Sequence, residues 1–66
     1  MKNNLKVQRA IKDLTQEDLA KLLGVSRQTI NSIEKNRYVP STVLALKLSK
    51  VFEISVNAIF ELENDD

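Results

Sequence analysis

The twenty residues TQEDLAKLLGVSRQTINSIE, Thr15 to Glu34, decide the fold of this chain. Thr15 offers a hydroxyl to cap a helix start, and Asp18 three residues on stands where a capping box usually has Glu or Gln. Leu19, Leu22 and Leu23 recur at helical spacing as a core face, with small Ala20 where a second helix crosses closely. Gly24 then ends the helix in the left-handed position that glycine adopts at least cost. Ser26 caps the next helix, and Val25 before it pairs with Ile30 as Leu14 pairs with Leu19, an apolar staple across each start. Two helices locked by Leu19, Leu23, Val25, Ile30 and Ile33 around a glycine turn are the pattern of a helix-turn-helix.

Working outward, apolar residues at three- and four-residue spacing continue in both directions, and no strand pattern of comparable length appears. A first helix is expected from about Asn4 to Lys12, with Leu5, Val7 and Ile11 apolar. Ser41 after Pro40 caps a fourth helix carrying Leu44, Leu48, Val51 and Phe52. Ile54, Ser55 and Ile59 repeat the staple and cap for a short fifth helix with Val56 and Phe60. Phe52 and Phe60 are read as core rather than as an aromatic binding surface, because apolar residues at helical spacing are usually buried. Glu61 to Asp66 is expected to be a frayed, solvated tail. The expectation is an all-α, compact five-helix domain over residues 1–66, with the functional motif at about 16–35.

Composition removes most other functions. Without His or Cys there is no imidazole base, thiol nucleophile, disulfide or usual zinc ligand, so no catalytic residue, metal site or cofactor is expected. One glycine excludes the multi-glycine loops that cradle nucleotide phosphates. No stretch approaches the ~18 apolar residues of a membrane span and no leader pattern opens the chain, so a cytoplasmic protein is expected. The net charge of +1 conceals an asymmetry: residues 1–38 hold eight Lys and Arg against four acids, and residues 39–66 hold two against five. A polyanion would approach the N-terminal part, although so small an imbalance supports other signals rather than standing alone.

The outer face of the third helix reads Arg27, Gln28, Asn31 and Ser32, at its first turn and one turn on. Arg27 can donate twice to guanine, and Gln28 or Asn31 can pair with adenine through amide donor and acceptor, when the helix N-terminus enters a major groove. Polar residues also solvate any exposed helix, so this face acquires meaning from the motif around it. The following loop adds Lys35, Asn36, Arg37 and Tyr38, donors suited to backbone phosphates, with packing on the loop an equal alternative for Tyr38. Thr29 is placed with the phosphate contacts.

From Thr15 to Glu34, and on through Lys35-Asn-Arg-Tyr-Val-Pro-Ser41 and the Leu44, Leu48 and Phe52 spacing, the chain resembles the Cro and phage-repressor, or Xre-type, lambda repressor-like helix-turn-helix family. The resemblance implies that Gln16 bonds a phosphate and braces the residue at Arg27, while Arg27, Gln28 and Ser32 face bases. It also implies a structural pair between Arg9 of helix one and Glu34. Gln8, Thr42 and Ser49 depart mildly from the family pattern, and Glu53 and Asn36-Arg37 lack the glycines common after helices four and three.

The function expected is a sequence-specific transcriptional regulator, most simply a repressor, binding double-stranded DNA at a palindromic operator as a homodimer. The dimer surface is expected to involve helix five and Leu62. The alternative is a protein-binding module, such as an antitoxin, built on the same fold.

Overall fold

The computed structural model describes residues 1–66. Its elements in chain order are β1 (Lys2–Asn3), α1 (Leu5–Ile11), α2 (Gln16–Leu23), α3 (Arg27–Glu34), α4 (Thr42–Phe52), α5 (Val56–Ile59) and β2 (Phe60–Glu61). Each of the last four helices starts at a hydroxyl that accepts a backbone N–H three residues on: Thr15 from Asp18 at 3.0 Å, Ser26 from Thr29 at 3.1 Å, Ser41 from Leu44 at 3.1 Å and Ser55 from Ala58 at 3.2 Å. Asp18 completes a capping box by accepting the Thr15 N–H at 3.0 Å. Such a cap contributes about 1 kcal/mol relative to alanine, so the helix starts are set locally.

Four turns use left-handed backbone at helix ends, the first at Asp13 (φ +55°) after α1. Gly24 lies at φ +71°, where a Cβ would meet no atom within 4 Å, so a side chain there would cost conformational strain alone. Asn36 (φ +60°) and Glu53 (φ +57°) hold the same conformation with side chains attached. The turns after α3 and α4 thus keep a glycine-like geometry without glycine, at a cost of about 1–2 kcal/mol for each non-glycine residue.

The core is eleven apolar residues with no buried polar residue among them: Leu5 from α1; Leu19, Ala20 and Leu23 from α2; Ile30 and Ile33 from α3; Leu44, Leu48 and Phe52 from α4; Ile59 from α5 and Phe60 from β2. The apolar residues of α1 divide between core and surface, and the core face expected for α2 needs correction. In α1, Val7 and Ile11 are exposed, because Leu5 faces the core and Arg9, one turn on, shares its face; residues two or six positions from Leu5 fall on the far side at about 100° per residue. In α2, Ala20 is buried and Leu22 is exposed, since α3 crosses on the Leu19–Ala20–Leu23 side. Phe52 and Phe60 are core residues.

The chain end also differs from a frayed tail. Phe60 and Glu61 leave α5 in extended backbone and pair antiparallel with Lys2 and Asn3, in the register Lys2 with Glu61 and Asn3 with Phe60. Asn4 continues the link, its N–H donating to Ile59 O at 3.0 Å and its side-chain amide to Ala58 O at 2.9 Å. Residues 61–66 are all exposed, but their start is tied to the N-terminal segment. A two-residue strand is too short to show the alternation by which strands are read.

Candidate nucleic-acid interface

The α2–Gly24–α3 unit presents α3 with Ile30 and Ile33 inward, Glu34 turned to Arg9, and Arg27, Gln28, Thr29, Asn31 and Ser32 at or near the surface. Arg27 and Gln28 are exposed, and Thr29, Asn31 and Ser32 are half-buried. Gln16, Arg27, Gln28 and Asn31 line one surface hollow. Ser26, Gln28, Thr29, Ser32, Arg37 and Tyr38 line a second, so Gln28 stands on the ridge between them. The Ser26 and Thr29 hydroxyls lie 2.9 Å apart across the first turn.

Behind this surface lies a polar network. Arg9 Nε donates to Glu34 Oε2 at 2.8 Å and Nη2 to Oε1 at 3.2 Å, a two-pronged pair whose side chains are only 16% and 6% exposed. Arg9 Nη1 donates to Leu14 O at 2.8 Å, in the turn before α2. Hydrogen bonding to Glu34 holds the Arg9 guanidinium charged beyond its already high ordinary range, against the opposing effect of burial. A single arginine therefore ties α1, the α1–α2 turn and the end of α3 together, and cancels a carboxylate that would otherwise repel a polyanion.

Gln16 joins this network from the start of α2. Its Nε2 donates to Glu34 Oε1 at 3.2 Å and to Asn31 Oδ1 at 3.4 Å; Arg27 shares its hollow and makes no hydrogen bond with it. Asn31, assigned from chemistry alone, is thereby brought into the same network as the structural pair.

In the loop after α3, Lys35, Asn36, Arg37 and Tyr38 are exposed, and Arg37 N–H donates to Ser32 O at 2.9 Å. The Asn36 side chain is partly engaged, because its Oδ1 accepts from Asn3 Nδ2 at 2.9 Å. The same Asn3 amide donates to Ile33 O at 2.8 Å, a second bond to a carbonyl that also accepts the Asn36 N–H at 3.0 Å. Asn3 is thus a support of the interface that sequence reasoning missed. No local pattern could reveal it, since its partners lie about thirty residues away.

A helical hairpin turning on a left-handed glycine, with the second helix exposing a polar face at its N-terminus, defines a helix-turn-helix domain. Residues 5–65 match the family model described as helix-turn-helix. The chain is 58% identical over the full length of both chains to an HTH-type transcriptional regulator of Methanocaldococcus jannaschii. It is 46% identical over the full length of both to the HTH-type transcriptional regulator YgzD of Bacillus subtilis. Among solved structures it is similar to the restriction-modification controller protein C.AhdI from Aeromonas hydrophila, with TM-score 0.76, 34% identity and 85% of each chain covered. The SOS-response transcriptional repressor LexA from Eubacterium rectale matches with TM-score 0.81 and 30% identity, over 96% of this chain and 67% of that one. The chain belongs to the Xre-type helix-turn-helix family of transcriptional regulators, which are not enzymes. No helix is long and apolar enough to cross a membrane.

Proposed function

We propose that this protein is a cytoplasmic, sequence-specific regulator that binds a palindromic operator in double-stranded DNA as a homodimer and represses by blocking access to it. The observation that carries the reading is the α3 surface: Arg27 and Gln28 are exposed at its first turn, and Asn31 and Ser32 stand half-buried one turn on, flanked by the Lys35 to Tyr38 loop. Entering a major groove, that face would put Arg27 against guanine and the amides and hydroxyl of Gln28, Asn31 and Ser32 against neighbouring base edges. The start of α2 at Gln16, with Thr29, Lys35, Asn36, Arg37 and Tyr38, would hold the backbone and set the register without reading sequence.

Dimerisation is supported by an apolar surface that shares no residue with the reading helix. Val39, Val43, Leu46 and Leu62 are exposed, and Met1, Val39, Pro40, Ala45, Leu46, Val56 and Phe60 line a mostly apolar hollow beside them. A two-fold axis through this surface would present two α3 helices to half-sites about one helical turn, ~34 Å, apart. Repression is favoured by similarity to a protein described as a transcriptional repressor, and steric occlusion needs no second domain.

Selection of bound duplexes from a random library tests the reading, with wild type beside Arg27→Ala and Gln28→Ala. A palindromic motif that loses discrimination at distinct positions in the two variants is expected, each by about 1–3 kcal/mol. Both variants selecting the wild-type motif unchanged would overturn the base-reading assignment. A stoichiometric protein partner on purification, with no motif selected, would instead favour a protein-binding module.

A further inference from the structure

The polar network behind α3 ends on one of the proposed reading residues and dictates which way that residue's amide faces. Glu34 receives both prongs of Arg9, and its Oε1 also receives Gln16 Nε2 at 3.2 Å. A carboxylate gripped by a guanidinium only accepts hydrogen bonds, so Gln16 must turn its amino group, not its carbonyl, toward Glu34. That amino group's second hydrogen reaches Asn31 Oδ1 at 3.4 Å. Reversing the Gln16 amide would set its oxygen against a carboxylate oxygen, and reversing Asn31 would set two amino groups face to face. Both Gln16 hydrogens are therefore committed inward. Asn31 keeps its oxygen toward Gln16, its Nδ2 donates to no protein acceptor, and the residue lines one hollow with Arg27 and Gln28.

We infer that Arg9, Glu34 and Gln16 form a positioning relay that fixes the polarity of the Asn31 amide, making Asn31 a hydrogen-bond donor to base edges and a reader of guanine rather than adenine. The inference rests on the DNA-reading role proposed above. In the major groove guanine shows two acceptors, N7 and O6, whereas adenine shows an acceptor beside a donor and needs an amide that offers both its atoms. With Oδ1 turned to Gln16, Asn31 is matched to the two-acceptor edge; thymine with its one O4 acceptor comes next, and the N4 donor of cytosine is opposed. This revises the chemistry expected of asparagine on a reading helix. With both Gln16 hydrogens engaged, a phosphate at this end of α2 would be met by backbone N–H groups.

Selected duplexes from wild type, Asn31→Ala and Gln16→Leu test the relay, with thermal midpoint and helical content measured for each. The position whose preference flattens in Asn31→Ala is the base pair that Asn31 reads. Guanine is expected there in the wild type, and Gln16→Leu is expected to lower guanine-over-adenine discrimination at that position alone by about fivefold or more, the scale of one good base contact. If Gln16→Leu fails to fold, Gln16→Ala, which adds no apolar bulk, replaces it. Adenine at that position, no position responding to Asn31→Ala, or unchanged discrimination in a folded Gln16 variant overturns the relay and leaves the DNA-binding reading standing. No enriched motif from the wild type overturns both.

Discussion

Arg9 and Glu34, twenty-five residues apart, meet in a two-pronged ion pair of 2.8 and 3.2 Å that fastens the first helix to the end of the third. Because Glu34 is 6% exposed, deleting its partner would leave a carboxylate largely out of water. Arg9→Ala is expected to destabilise the fold by about 3–5 kcal/mol, read as a lower midpoint in urea unfolding. Arg9→Lys should recover only part of this, since an ammonium cannot reproduce the fork that also reaches Leu14 O. Stability equal to wild type in Arg9→Ala would remove the structural role assigned to the pair.

Glu53 occupies left-handed backbone after α4 at φ +57°, and its contact with Lys12 is a 3.5 Å pair with Glu53 81% exposed. Such exposed pairs contribute little, whereas relieving the left-handed strain exceeds the entropic penalty of a glycine. Glu53→Gly is therefore expected to stabilise the domain by about 0.5–1 kcal/mol in denaturant unfolding. A destabilised variant would show that this turn is not strained.

Asp18 accepts from the Thr15 N–H and hydroxyl, and those hydrogen bonds hold its carboxyl below the ordinary aspartate range. A depressed folded-state value means that the cap stabilises the fold fully above the unfolded value of about 3.9 and is lost as pH falls through the lower folded value. Thermal midpoints measured downward from pH 5 should fall less steeply for Asp18→Asn than for wild type. Parallel profiles would mean that the capping box is not titrating.

Lys35 and Arg37 are exposed beside the proposed reading face, so their contribution to DNA binding is expected to be electrostatic and indifferent to sequence. Replacing either with alanine should weaken specific and non-specific duplexes alike and reduce the slope of log K against log salt by about 1 per protomer. A change confined to one operator position would instead make that residue a base reader.

Leu46 is 59% exposed at the edge of the apolar hollow formed with Val39, Val56 and Phe60. If this is the dimer surface, Leu46→Glu should yield monomers in sedimentation equilibrium with helical content unchanged. Affinity for a single half-site should persist while that for the full palindrome falls. An unaltered dimer would move the two-fold axis elsewhere.

The sequence by itself determined the features that depend on neighbours in the chain. The hydroxyl caps at Thr15, Ser26, Ser41 and Ser55, the left-handed turn at Gly24 and the helical spacing of Leu19, Leu23, Ile30 and Ile33 were legible because caps, turns and periodicity act within a few residues. Family resemblance extended this to the Arg9–Glu34 pair. Tertiary structure alone decided which face each helix turns inward, sending Val7, Ile11 and Leu22 to solvent, because apolar periodicity names candidates and the crossing helix chooses among them. It alone closed Lys2–Asn3 onto Phe60–Glu61 and placed Asn3 beneath the end of α3, contacts between residues too distant for any local pattern to register. The direction of the Gln16 and Asn31 amides belongs with these, since only the folded chain brings an acceptor-only carboxylate against one end of an otherwise reversible group.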